Sequence, residues 1–186
     1  MDEDENLNIL DVSEEACVFA ISLAEKHSNN KWVFVLCLFY TKGSFTKYSI
    51  GKFDVIILNE VTHEISDMAI FFRKLKTLLN DDAPIVILSR PKNPPLPVPD
   101  CCLLLWRKLA PTREEILAAA KAQSFSAAVP VSVDRFDWEK ILYSGCFPAV
   151  RNTIKCTEKE IRDYCNNISG KVTFEEKLNI FLLKNA

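Results

Sequence analysis

Glycine is scarce in this sequence. It occurs 4 times in 186 residues, as Gly43, Gly51, Gly145 and Gly170. No two stand close enough to build a glycine-rich phosphate or nucleotide loop. Histidine is scarcer still, with only His27 and His63, and no C-x-x-C pair is present. The spaced ligand pairs of a zinc site are therefore missing, and no metal site is expected. A basic excess is lacking too. The 23 Lys and Arg face 25 Asp and Glu, leaving a net charge of −2. That is not the field of a nucleic-acid binder. No apolar run approaches the ~20 residues of a membrane-spanning helix, so no membrane partner is expected. The opening "MDEDENLN" is acidic, unlike the basic start of a signal peptide, and reads as a solvated tail over 1–8.

What is present suits one globular domain over 9–186. Seven cysteines, an odd number with no secretory signal, point to reduced thiols and a cytoplasmic setting.

Hydrophobic patterning supplies the elements. "LNILDV" (7–12) is a short apolar run carrying Asp11. "SEEACVFAISLAEKHS" (13–28) is an amphipathic helix with Ser13 as N-cap and acids in its first turn. "KWVFVLCLFY" (31–40), "FDVIIL" (53–58) and "PIVILS" (84–89) are strands covered on both faces. A helix over 66–81 separates the last two. "RPKNPPLPVPD" (90–100) holds five prolines, which exclude helix and sheet interior, and reads as a rigid surface segment. Helices are predicted over 112–125, 134–144 and 157–169. Thr112 caps the first, and Thr157 with Glu160 has capping-box spacing in the last. A weaker strand spans 126–133, and a closing strand spans 173–185. Buried strands alternating with helices predict an α/β fold. The expected form is a Rossmann-like, mostly parallel sheet of about six strands, with helices on both faces. In such sheets ligands bind beyond the carboxyl ends of the strands. Asn59, Glu60 and His63 leave the run "VIIL" at one such end.

Several stretches together resemble the class I S-adenosylmethionine-dependent methyltransferases, type 11-like. "GKFDVIILNEVTHEI" is similar to the family's fourth strand and the segment after it. "FFRKLKTLLNDDAPIVIL" is similar to the next helix and fifth strand, with "NDDAP" in place of a glycine turn. "WEKILYSGCFPAVRNTIKCTEKEIRD" and "FEEKLNIFLLKN" are similar to the C-terminal helices and the last strand, which in this fold is antiparallel. The family's first strand ends in D/E-x-G-x-G-x-G, and that loop is absent. Two explanations compete. The chain lacks the first strand, or "LDVSEEAC" is a first strand whose glycines are replaced. The acid after "LNIL" and the capped helix that follows favour the missing strand. The fourth strand must then pair directly with the second or leave an open edge.

The resemblance implies S-adenosylmethionine as cofactor and a small-molecule methyl acceptor. Asp11 takes the place of the acid that binds the ribose hydroxyls. Cys37 lies near the adenine position, and Asn59 lines the same rim. Glu60 or His63 is the candidate base for the acceptor. Each has a plainer reading: Asp11 as a helix cap, Cys37 as a core thiol, the others as a capped turn. Trp106, Trp138 and Phe147 lie where the family builds its acceptor pocket and fit core packing as well. Arg151 fits either the family's arginine or a surface ion pair. One alternative function is a catalytically inactive binding or regulatory module, paired with a homologous protein across the damaged edge. Another is a doubly wound domain of a different class, such as a nucleotide-binding oxidoreductase.

Overall fold

A computed structural model of the chain describes residues 6–13, 25–26, 29–36, 51–144 and 156–184. The described strands form one six-stranded sheet. They are β1 (Asn8–Ser13), β2 (Lys31–Leu36), β3 (Val55–Asn59), β4 (Pro84–Ser89), β5 (Gln123–Asp134) and β6 (Lys171–Lys184), in the order β2-β1-β3-β4-β6-β5. The pairings β2–β1, β1–β3 and β3–β4 are parallel, and β4–β6 is antiparallel. This is the Rossmann-like mixed sheet with an antiparallel C-terminal strand that the sequence predicts. The helices are α1 (Met68–Lys76), α2 (Asp100–Leu109), α3 (Arg113–Ala120), α4 (Arg135–Ser144) and α5 (Glu158–Asn166). Among the described residues no helix is long and apolar enough to cross a membrane. The helix expected over 13–28 lies almost wholly outside the described residues. Ser13, its expected cap, is the last residue of β1.

β1 sits mid-sheet. Ile9 to Ser13 pair with Val55 to Asn59 on one side, and Asn8 to Ser13 with Lys31 to Leu36 on the other. No unpaired row of backbone donors and acceptors is left between β1 and β3. Mid-sheet, beside the fourth strand, is where the resembled family keeps its first strand. The order fits both explanations: a second strand paired directly with the fourth, or a first strand with its glycines replaced. Direct β1–β3 pairing removes the open edge on which the homologous-partner idea rested.

By its contacts the chain divides into two compact units. One comprises 1–89, 112–125 and 179–186; the other comprises 90–111 and 126–178. In the first unit, side-chain alternation assigns the strands their faces. Leu10, Val12, Ile56, Leu58, Ile85 and Ile87 are buried and cluster with Phe71, Phe72 and Leu75 of α1 and Ile116 of α3. Full burial of each such aliphatic side chain contributes roughly 1.5–3 kcal/mol. α1 begins where the Asp67 carboxylate accepts from the Ile70 N–H at 2.9 Å. It ends with Arg73, Lys74 and Lys76, cations suited to the negative end of the helix dipole. Asp54 ties the amino ends of β1 and β3. Its carboxylate accepts from the Asn8 N–H at 2.8 Å and from the Asn80 amide at 2.6 Å. These donors, the Asn8 N–H foremost, hold its pKa below the usual carboxylate value.

α3 carries the full capping box of Thr112 and Glu115. It is shorter than predicted because Lys121 turns left-handed at φ 51° and stops it. β5 then begins at Gln123 rather than 126.

The second unit has its own core. The unanticipated helix α2 starts behind Pro99 and buries Cys102, Leu103 and Trp106. The proline segment is anchored rather than superficial. Leu96 and Val98 are buried, the Trp106 indole donates to the Pro91 carbonyl at 3.0 Å, and the Trp138 indole donates to the Pro97 carbonyl at 2.9 Å. Proline lacks a donor but keeps its acceptor, which suits it to this use. Both tryptophans are therefore core residues. Phe147 and Arg151 lie outside the described residues.

Cysteine pairing departs from the all-reduced expectation. Cys101 and Cys156 are joined as a disulfide, while Cys102 and Cys165 are free and buried. Burial, with Glu160 and Cys165 adding to it, pushes the Cys102 thiol up to about 11.

Candidate active-site rim

The carboxyl ends of β1, β3 and β4 bring polar side chains together within the first unit. The register sets Ser13 of β1 opposite Asn59 of β3, and Asn59 opposite Leu88 of β4. Adjacent strands lie about 4.8 Å apart, so these ends form one short rim. Asp11 and Asn59 share a sheet face, because Asp11 pairs with Ile57, two residues before Asn59.

Asp11 is fully buried and Ser13 nearly so, at 0% and 2% exposure. The Ser13 hydroxyl donates to the Asp11 carboxylate. Burial of a carboxylate is costly without such donors. Asn59 is half-buried at the strand end. The chain then leaves the sheet abruptly. Glu60 takes a left-handed φ of 57°, and its N–H donates to the Leu88 carbonyl at 2.9 Å. Glu60 is nonetheless 5% exposed, so a charged residue is buried in a conformation that disfavours any side chain. Residues in such conformations cost roughly 1–3 kcal/mol and cluster at functional sites.

A single 3-10 turn, Thr62–Glu64, follows. The Thr62 hydroxyl lies 3.3 Å from that of Ser89, the last residue of β4. His63 is buried, and its Nε2 lies 3.4 Å from a Glu64 carboxylate oxygen. Of the predicted residues, Asp11, Asn59, Glu60 and His63 all lie at this end of the sheet or in the turn leaving it. Cys37 lies outside the described residues. The sequence reading missed Ser13, Thr62 and Ser89 as rim residues. The signal was available for Ser89, which closes "PIVILS" as Asn59 closes "VIILN".

A separate hollow of about 670 Å³ lies between α1, α3 and the end of β6, lined by Phe72, Arg73, Lys76, Lys121 and Lys184 among others. Lys184 pairs with Pro84, at the amino end of β4, so this basic hollow is not the rim.

No protein-family model matches the chain, and no curated protein matches it. Solved structures do. Coclaurine N-methyltransferase, solved with N-methylheliamine and SAH, superposes with a TM-score of 0.53 at 12% identity, covering 96% of this chain and 67% of that one. A Galdieria sulphuraria protein described as a sarcosine dimethylglycine methyltransferase gives 0.50 at 11% identity, covering 99% and 80%. YcgJ from Bacillus subtilis gives 0.50 at 14% identity, covering 96% and 92%.

The chain has the class I methyltransferase fold.

In the terms of that fold, β3 with Asn59 takes the place of the fourth strand. At such low identities the likeness concerns fold alone. The chemistry of the rim has to be argued from its own side chains.

Proposed function

We propose that the chain is an S-adenosylmethionine-dependent methyltransferase-like protein that moves a methyl group to a small molecule. The observation that carries this reading is the rim. Ser13, Asn59 and the Thr62–Ser89 pair gather at the carboxyl ends of parallel strands, beside a strained and buried Glu60. The complex of coclaurine N-methyltransferase with SAH gives the ligand class its precedent on this fold. The donor set suits a nucleoside, since a carboxylate, hydroxyls and an amide can all meet sugar hydroxyls and ring nitrogens. When bound, S-adenosylmethionine supplies an electrophilic methyl on a sulfonium.

Asn59 and the Asp11–Ser13 pair are assigned to cofactor binding, Asp11 through charge-assisted hydrogen bonds. Glu60 and His63 are assigned to the acceptor, as orienting groups and base. Methyl transfer rests mainly on aligning acceptor and methyl, so two such groups suffice.

A second reading is an inactive binding or regulatory module. The burial of both Asp11 and Ser13 favours it, because a ligand must compete with Ser13 for the carboxylate. A homologous partner would then meet the sheet at β2 or β5, the outer strands among the described residues.

Calorimetric titration with S-adenosylhomocysteine separates the two. Micromolar binding that weakens at least tenfold in Asn59→Ala supports the first. No heat at millimolar ligand supports the second.

A further inference from the structure

The second unit holds a cluster that methyl transfer does not use. Cys101 and Cys102 lie in the first turn of α2, and Cys156 immediately precedes Thr157, the N-cap of α5. Their three sulfur atoms all lie within 4.8 Å of one another. Cys101 and Cys156 form the disulfide, and the Cys102 thiol points at the Cys156 sulfur from 3.0 Å.

A disulfide needs two sulfurs and gives no reason for a third to converge on it. The amino ends of α2 and α5 meet at the cluster. The spacing suits a metal. Zinc–sulfur bonds of about 2.3 Å in a tetrahedron set sulfurs about 3.8 Å apart. Small side-chain movements on reduction reach that spacing from the arrangement here. Among the described residues no histidine or carboxylate joins the group, so every ligand it offers is soft sulfur. Soft thiolates select thiophilic ions over magnesium or calcium.

We propose that Cys101, Cys102 and Cys156, once reduced, form a three-thiolate site for zinc, with the fourth position left to solvent or an exogenous ligand. The disulfide is the oxidised, metal-free form of the same site. Forming the site breaks the Cys101–Cys156 bond by a two-electron thiol reductant, which is itself oxidised to its disulfide. Zinc then replaces the protons of the three thiols, which pass to solvent. The sequence conceals the site because an adjacent pair 54 residues from its third member has no recognisable ligand spacing.

The test uses the full chain, reduced and kept anaerobic, with cobalt(II) as the spectroscopic stand-in for zinc. One equivalent of cobalt should bring up thiolate-to-metal charge transfer and the visible bands of four-coordinate cobalt, and zinc should bleach both. Cys102→Ser and Cys156→Ala should each weaken cobalt binding by at least about tenfold, the least expected for a lost ligand. Cys156 is half-buried and lies outside α5, so Cys156→Ala decides the matter if Cys102→Ser unfolds. Absence of charge transfer in the reduced wild type overturns the proposal. So do bands of unchanged strength in Cys156→Ala.

Discussion

Glu60 is the residue on which the rim turns. Its left-handed backbone is one that glycine adopts freely and other residues adopt at about 1–2 kcal/mol. A comparison of Glu60→Gly with Glu60→Ala isolates that strain, since both variants lose the carboxylate. Glu60→Gly should be the more stable by about 1 kcal/mol, read from urea midpoints at equal m-value. Equal midpoints would mean that the local backbone stores no strain. Ser13 poses the complementary case at the end of β1. There the Ser13 hydroxyl donates to the buried Asp11 carboxylate, and a ligand must compete with it for that carboxylate.

At the scale of elements, capping and local charge are measurable. α5 is a nine-residue helix with a complete Thr157–Glu160 capping box. Thr157→Ala should destabilise the protein by about 1 kcal/mol in denaturant titration, and no change would mean that the helix end contributes nothing. Asp54 clamps β1 to β3, and its folded pKa is depressed. The sign follows from linkage. Its stabilisation is complete above the unfolded carboxyl value of about 3.9 and is lost as pH falls through the lower folded value. The stability gap between wild type and Asp54→Asn should therefore shrink as pH drops below about 4. A gap constant down to pH 2 would contradict the clamp.

The same elements show what the sequence made readable. β3 and β4 could be located because apolar, β-branched runs end in polar residues, and α3 and α5 because threonine caps announce them. β5 began early because a left-handed Lys121 is not visible in composition. α2 escaped notice because the proline run before it read as a break, although a proline ahead of an acidic first turn is also a helix start. Asn59 stood out as a polar residue at a strand mouth. The Thr62–Ser89 contact did not, since it joins residues 27 apart. Ser13, read as a cap, is held in the sheet by pairing on both sides, and the start of the helix it would cap lies outside the described residues.

For the molecule as a whole, the decisive fact is that β1 lies mid-sheet, parallel to β2 and β3. This makes the carboxyl ends of β1, β3 and β4 one continuous rim, and it places Asp11 and Asn59 on the same side of it. The basic hollow near Lys184 lies at the other end of the strands, and the cysteine cluster belongs to the second unit. A ligand's location thus distinguishes among three separate regions. Amide chemical-shift mapping of the isotopically labelled chain with S-adenosylhomocysteine tests the central claim most directly. The account predicts saturable shifts concentrated at residues 11–13 and 59–63, with Ser89 also responding. Saturable shifts confined to residues around Arg73, Lys121 and Lys184, or no shifts at millimolar ligand, would contradict it.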